Sequence, residues 1–404
     1  MRVLFLTIVK IKSLEERGIY TDLLRKFRNE GHEIFAVSPV ERRDGKVTHL
    51  IKEKNANLLQ VKTLNLQKSN AIEKGIGTML IEHQYLRAIK KHFSNNKFDL
   101  ILYSTPPITF SKVVGYLKNR DRAFTYLLLK DIFPQNVIDM GFLKKNGILH
   151  KYFLKKERKL YKLSDRIGCM SNANMKYILE HNKGIDPSKI EVNPNSIEPI
   201  SLKNIEINKD VIRQKFDLPQ KSIILVYGGN LGVLQGIDFL LEIIKESTIS
   251  DVFFLIVGNG TEYKRISKWF NKEKPKNAKL LPGLQKDDYD LLLQACDVGM
   301  IFLSHRFTIP NFPSRLLSYL EFGMPIVAAT DTHTDVGLII EESKCGFWLE
   351  SGDLKRMNEI ILELKNNHDI FLQMKKNARL LLERNYTVNL SYELIIKSFK
   401  SHNN

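Results

Sequence analysis

Cysteine is scarce in this chain: Cys169, Cys296 and Cys345 are the only three in 404 residues. An odd, dispersed set defines no disulfide framework and no metal-ligand spacing, and it suits a reducing compartment. Long apolar runs are missing too. No stretch approaches the ~20 apolar residues of a membrane-spanning helix. The opening MRVLFLTIVKIK begins like a secretory signal, yet its apolar run from Val3 to Val9 is short and Lys10 follows. With no small-residue cleavage site after it, it reads as a buried first strand. Acidic charge is in deficit, 45 Asp and Glu against 62 Lys and Arg, for a net +17. Such a surplus points to an anionic partner: nucleic acid, a membrane surface or a phosphorylated ligand.

What is present is ordinary globular material. Hydrophobic residues make up 43% and charged residues 26%, which excludes wholesale disorder. The length fits two or three domains of ~150 residues. The charge is lopsided: residues 1–200 hold 36 basic and 20 acidic side chains, a net +16, whereas 201–404 hold 26 and 25, a net +1.

Short apolar strands alternate with amphipathic helices, and no short-period repeat is visible. Strands are expected at Val3–Val9, Ile34–Val37, Leu100–Tyr103, Phe124–Leu129, Arg166–Met170 and Ile190–Asn193, with a helix over Asp22–Glu30. Glu198–Lys209 is polar and reads as a linker. The pattern then restarts with strands at Ser222–Tyr227, Val252–Val257, Lys279–Leu281, Val298–Leu303 and Ile326–Ala329. The expected fold is α/β, two doubly wound Rossmann-like domains over 1–200 and 201–385, with strand ends opening into one cleft. An amphipathic helix over Tyr386–Phe399, within 386–404, is expected to cross back onto the first half.

Two segments carry chemistry. Gly228-Gly229-Asn230-Leu231-Gly232-Val233-Leu234-Gln235-Gly236 lies between a strand and a helix. Its backbone N–H groups can hold a phosphate, or it is simply a tight turn. It is neither a Walker loop nor a GxGxxG pattern. In the second segment, Pro313 and Ser314 read as a helix start with Ser314 as N-cap, and Gly323 ends that helix. Arg315 then falls in the first turn, where a cation opposes the helix dipole. An anionic ligand explains it better than helix stability does, and Arg suits bidentate phosphate contact.

The order of these segments resembles the GT-B glycosyltransferases of family 4, across nearly the whole chain. In the first half Gly18 before a helix, Ser104-Thr105-Pro106-Pro107, Lys130-Asp131-Ile132-Phe133-Pro134, Ser164-Asp165-Arg166, Met170-Ser171 and Asn193-Pro194-Asn195 follow the family's order. In the second half the matches are the Gly-Asn-x-Gly turn, Val257-Gly258-Asn259-Gly260, Pro282-Gly283, Ala295-Cys296-Asp297 and Pro313-Ser314-Arg315 through Gly323-x-Pro325. The subgroup it looks like is that of capsule and O-antigen assembly, including N-acetyl-L-fucosaminyl transferases. The resemblance implies a retaining enzyme that uses a UDP-sugar, with no cofactor and no metal.

The chain departs from that pattern where the family holds the diphosphate. Asn230 and Gln235 stand where many members have Arg and Lys, and Pro310 and Ser318 where many have glutamates. The resemblance therefore shifts the diphosphate charge to Arg315, supported by N–H groups near Gly232, with Lys130 as a second candidate. The ribose contact is left between Ser318 and Glu321. Donor binding is expected to involve Gly18, Asn230, Gly232, Gln235, Gly258, Asn259, Gly260, Gly283, Pro313, Ser314, Ser318 and Glu321. Asp131 either binds a substrate hydroxyl or caps the following turn. Asp288-Tyr289-Asp290 spells a metal-type D-x-D but opens a helix over Asp287–Cys296, where acids suit the N-terminus. His83, His305 and His333 have no metal spacing.

Lys144–Lys162 interleaves Lys144, Lys145, Lys151, Lys155, Lys156, Arg158, Lys159 and Lys162 with Ile148, Leu149, Tyr152, Phe153, Leu154, Leu160 and Tyr161. It fits an interfacial helix on an anionic membrane, or a solvated helix packed on its own domain. The leading expectation is a cytoplasmic, peripheral transferase acting on a polyprenyl-diphosphate-linked saccharide at the inner membrane face. A UDP-N-acetylglucosamine 2-epimerase of the same fold is an alternative. A nucleic-acid-binding protein is a third reading, opposed by the lack of any RNP, zinc or helix-turn-helix pattern.

Overall fold

The apolar runs of the first half become one eight-stranded sheet. Its strands are β1 (Arg2–Leu6), β2 (Glu33–Glu41), β3 (His49–Glu53), β4 (Ala56–Thr63), β5 (Leu100–Ser104), β6 (Phe124–Leu129), β7 (Arg166–Cys169) and β8 (Ile190–Val192). They lie in the order β3-β4-β2-β1-β5-β6-β7-β8. Neighbours are parallel except β3, which runs antiparallel to β4 at the edge. β5 and β6 are buried along their whole length, as a sheet covered on both faces requires. The helices are α1 (Ile19–Asn29), α2 (Ala71–His92), α3 (Ser111–Asp121), α4 (Gln135–Asp139), α5 (Ile148–Leu163) and α6 (Asn172–His181). Phe5, Leu24, Phe27, Leu100, Leu102 and Phe124 share one core.

The second half builds a six-stranded parallel sheet. Its strands are β9 (Ile223–Asn230), β10 (Val252–Asn259), β11 (Ala278–Pro282), β12 (Val298–Phe302), β13 (Ile326–Thr330) and β14 (Gly346–Glu350), in the order β11-β10-β9-β12-β13-β14. Its helices are α7 (Lys209–Lys215), α8 (Ile237–Glu246), α9 (Tyr263–Glu273), α10 (Lys286–Ala295), α11 (Arg315–Glu321), α12 (Val336–Glu342), α13 (Leu354–Asn366) and α14 (His368–Asn385).

These are features of a computed structural model that describes residues 1–66, 71–201 and 208–403. The chain divides into two units, Met1–Glu198 with Val388–Asn404, and Pro199–Thr387. Within the first unit the last helix, α15 (Val388–Asn403), packs on α1 and β6. The Tyr392 ring lies 4.8 Å from that of Phe27, and Phe399 lies 5.9 Å from Phe124. Residues 202–207 of the expected linker lie outside the described residues, and Lys209 at its end is helical. Among the described residues no helix is long and apolar enough to cross a membrane.

Several elements differ from the sequence reading. β1 stops at Leu6, because Thr7 turns the chain: its hydroxyl accepts from the Val9 N–H at 3.0 Å, and Val9 is exposed. The β3–β4 hairpin is absent from that reading: β3 is half-exposed and polar at the sheet edge, whereas β4 is mostly buried inside the sheet. β14 is missed for a similar reason, with only two of its five residues buried.

Candidate functional site

The second sheet reverses direction of growth at β9, which has β10 on one side and β12 on the other. Open α/β sheets bind ligands at the carboxyl ends of strands beside such a reversal. There β9 runs out into the Gly-rich turn, and the segment after β12 leads into α11, whose first residue is Arg315.

Arg315 crosses over the Tyr227 ring, its guanidinium carbon 4.1 Å from the ring centre. Its Nη2 donates to Gln235 Oε1 at 2.5 Å. Its Nη1 is buried and has no hydrogen-bond partner among the described residues. The ring face favours the cation, but a buried guanidinium N–H left without an acceptor is costly. An anion at this strand end removes that cost. Tyr227 is itself held, its hydroxyl donating to the Asn230 carbonyl at 3.0 Å.

Two further tyrosines complete the floor. Tyr319, one helical turn beyond Arg315, accepts from the Gly228 N–H at 3.1 Å and lies 3.1 Å and 3.2 Å from the Val226 and Met300 carbonyls. Burial pushes its phenol up to about 12, so it stays a donor. Tyr289 of α10 covers Gly228, where an added Cβ would fall 1.8 Å from the Tyr289 hydroxyl. None of Tyr227, Tyr289 or Tyr319 is singled out by the sequence reading. The available signal was the spacing of four from Arg315 to Tyr319 in a helix.

The remaining donor-side candidates divide. Asn230 is exposed at the end of β9, with Gly232 and Gln235 beside it. Gly258 and Gly260 have a packing reason: a Cβ would come within 1.9 Å of the Gly229 oxygen and 2.2 Å of the Leu231 oxygen. The loops after β9 and β10 also bond directly, Leu231 N–H to the Asn259 carbonyl at 2.9 Å. Gly283 lies against the Asn259 amide. Pro313 is buried, and Ser314 sits at the N-cap of α11 without a side-chain capping bond, contrary to the expected cap. Gly323 does end α11, at φ +58°, with its N–H and that of Met324 returning to the Leu320 and Tyr319 carbonyls at 3.1 Å and 2.9 Å. Ser318 is half-buried. Glu321 must be corrected as a ribose ligand: it is 1% exposed and its carboxylate accepts from the Ile200 N–H at 3.0 Å. Asp288 pairs with Lys215 at 3.0 Å and Asp290 with Lys286. Among the described residues no three His, Cys, Asp or Glu side chains gather as a metal site.

Gly18, Lys130 and Asp131 belong to the first unit. Gly18 precedes α1, and its N–H donates to buried Asp22 at 3.0 Å. Lys130 and Asp131 follow β6 at the carboxyl edge. Lys130 Nζ donates to the Asn193 carbonyl at 3.1 Å, and burial pulls its amine down to about 7. That weakens it as a standing positive charge for a diphosphate. The Asp131 carboxylate accepts from the side-chain amide of Asn136 on α4 at 2.6 Å, a bond between side chains and not a cap on a backbone N–H.

On α5 the inner face is His150, Phe153, Glu157, Leu160 and Tyr161. Phe153, Leu160 and Tyr161 are therefore core residues and cannot meet lipid. Lys156 is also withdrawn, its Nζ 2.8 Å from Glu82 of α2 and its side chain 15% exposed. Lys144, Lys145, Lys151, Lys155, Arg158 and Lys159 are exposed. Beside them Phe142, Ile148 and Leu149 are 63%, 88% and 55% exposed.

Residues 208–381 match the model of the glycosyl transferases group 1 family. The Escherichia coli (strain K12) protein WcaI, named for glycosyl transfer in colanic acid biosynthesis, is 23% identical over 248 residues, 61% of this chain and 60% of WcaI. The match thus spans less than two thirds of that relative. The Pseudomonas aeruginosa protein WbjE, named as a glycosyltransferase, is 22% identical over 308 residues, 74% of each chain. Among solved structures, Anabaena HepE in complex with UDP and glucose has a TM-score of 0.72 at 14% identity, covering 99% of this chain and 100% of HepE. That likeness is one of fold, and the fold is GT-B. It is through residues 208–381 that the chain is similar to the glycosyl transferases of group 1.

Proposed function

We propose that this chain is a retaining glycosyltransferase. It moves a sugar, an N-acetylated deoxyhexose, from a UDP donor to a lipid-linked saccharide precursor in capsule or O-antigen synthesis. The observation that carries the reading is the unsatisfied Nη1 of Arg315 at the carboxyl end of β9. Support comes from HepE, solved with UDP and glucose, and from WcaI, named for colanic acid biosynthesis. The second unit takes the nucleotide, and the first takes the acceptor.

In this reading the acceptor oxygen bonds to the anomeric carbon on the face from which the diphosphate leaves. The C–O bond to the diphosphate breaks, and the acceptor proton passes to a leaving phosphate oxygen. Arg315 and the N–H groups near Gly232 stabilise the growing negative charge, and Gln235 and Tyr227 hold Arg315 ready for it. Exposed Phe142, Ile148 and Leu149 enter the inner face of the membrane while the neighbouring lysines meet anionic headgroups.

Calorimetry with UDP tests the proposal. Arg315→Ala is expected to weaken binding sharply, and unchanged affinity overturns the assignment. Release of UDP from a UDP-sugar only when an acceptor is present separates transfer from epimerisation.

A further inference from the structure

The amino end of the second sheet, opposite to Arg315, holds a cavity of about 320 Å³. Lys209 and Arg213 of α7, Lys221 before β9, Asp297 before β12, Lys365 of α13 and His368 of α14 line it. Asp297 is fully used: Oδ1 takes Lys209 Nζ at 3.0 Å, and Oδ2 takes Arg213 Nη2 at 2.7 Å and the Ile224 N–H at 2.9 Å. Lys365 is turned away to the Ser250 carbonyl at 2.8 Å. Asp210, at the mouth, is exposed and pairs with none of these cations.

One carboxylate therefore answers two cations, and more positive charge stands around it. Lys221 has no ion-pair partner among the described residues. Half-buried Lys375 of α14 lies close enough to Lys209 that burial, and then the like charge, pull its amine below the usual lysine range. Like charges crowded round an open cavity favour an anion inside it.

We propose that this cavity is a binding site for a phosphate-bearing anion, gripped by Lys209 and Lys221. Lys375 strengthens the field. The occupant is not the nucleotide at Arg315. β9 runs from Ile223 at the cavity to Asn230 at the glycine turn, a span of roughly 25 Å at ~3.3 Å per residue.

Lysine acylation read by mass spectrometry on the full chain tests this, with inorganic diphosphate as probe. Saturating diphosphate is expected to slow labelling of Lys209 and Lys221 at least fivefold. Sodium chloride at equal ionic strength should not. Protection should persist in Arg315→Ala and vanish from Lys209 in Lys221→Glu. Phosphatidate vesicles in place of diphosphate tell a lipid headgroup from a free phosphate: protection by either supports the site and names its source. Labelling unchanged by both probes, equal protection by chloride, or loss of protection in Arg315→Ala overturns it. The last result places the anion at the other end of the sheet, and leaves the proposed donor site intact.

Discussion

Arg315 and Tyr227 form a stacked pair at the carboxyl end of β9, 4.1 Å from guanidinium to ring centre. Gln235 holds one arm of the guanidinium, and the other arm is buried without a hydrogen-bond partner among the described residues. The pair is a cation fixed in orientation before any ligand arrives.

That fixed geometry distinguishes arginine from lysine. Arg315→Lys keeps the charge but loses the planar fork and the stacking, so UDP affinity should fall about tenfold or more. Gln235→Ala frees one arm without removing the charge and should cost less, about two- to fivefold. Calorimetric titration of UDP ranks the three proteins. Lysine equal to arginine would show that charge alone suffices.

Gly258→Ala pushes a methyl group into the Gly229 carbonyl, 1.9 Å from the ideal Cβ position. Overpacking against backbone of this kind costs about 1–3 kcal/mol. A Gly184→Ala control meets nothing within 4 Å and should stay within about 0.5 kcal/mol of the parent. Denaturant unfolding followed in both variants decides. A neutral Gly258→Ala would mean that the β9 and β10 loops readily part.

Lys130 makes stability depend on pH. Its amine titrates near 10.5 when unfolded and about 7 in the fold, lowered by burial. Between those values the unfolded chain binds the proton and the folded chain does not, so this group's contribution to stability rises with pH across the window. Below pH 7 the whole penalty is in place, on the order of 5 kcal/mol. Lys130→Met should therefore be more stable than the parent at pH 6.5, with the advantage fading toward pH 10. A pH-independent difference would mean that the amine is not buried as described.

The proposed membrane contact separates into apolar and charged parts. Ile148→Asp with Leu149→Asp should abolish pelleting with anionic vesicles, without changing thermal stability, because both side chains are exposed. Lys155→Glu with Lys159→Glu should weaken pelleting most at low salt. Lys156 is left in place, because removing it strands Glu82, 2% exposed. Pelleting unaffected by either double variant would move the contact elsewhere.

Much of the fold is legible because buried parallel strands are written as unbroken apolar runs. Phe124–Leu129 is a strand with the same limits in sequence and structure, and the restart after residue 209 marks the second sheet. What escapes is edge structure, such as β3 and β14, where half-exposed residues carry no pattern. The site is legible in part. Arg315 stands out because its charge opposes a helix start, and Gln235 because it replaces an expected cation. Of the tyrosines around Arg315, Tyr319 is signalled only by its spacing of four on the same helix, and Tyr227 and Tyr289 are silent because only the tertiary fold brings them there. Glu321 and Lys156 mislead for the opposite reason. Both look like free surface charge, yet Glu321 holds the Ile200 N–H and Lys156 holds Glu82.

The return of α15 to the first unit bears on how the protein is made. Ile395 is fully buried there, Ser391 bonds Asn193 at 2.8 Å, and Tyr392 and Phe399 cover Phe27 and Phe124. Residues 1–198 leave the ribosome well before α15, but their core lacks a wall until α15 has been made. The uninterrupted stretch 199–387 has every strand of its sheet before then. Vectorial synthesis usually completes the N-terminal domain first; here the order is inverted, and the half made earliest is the half finished last.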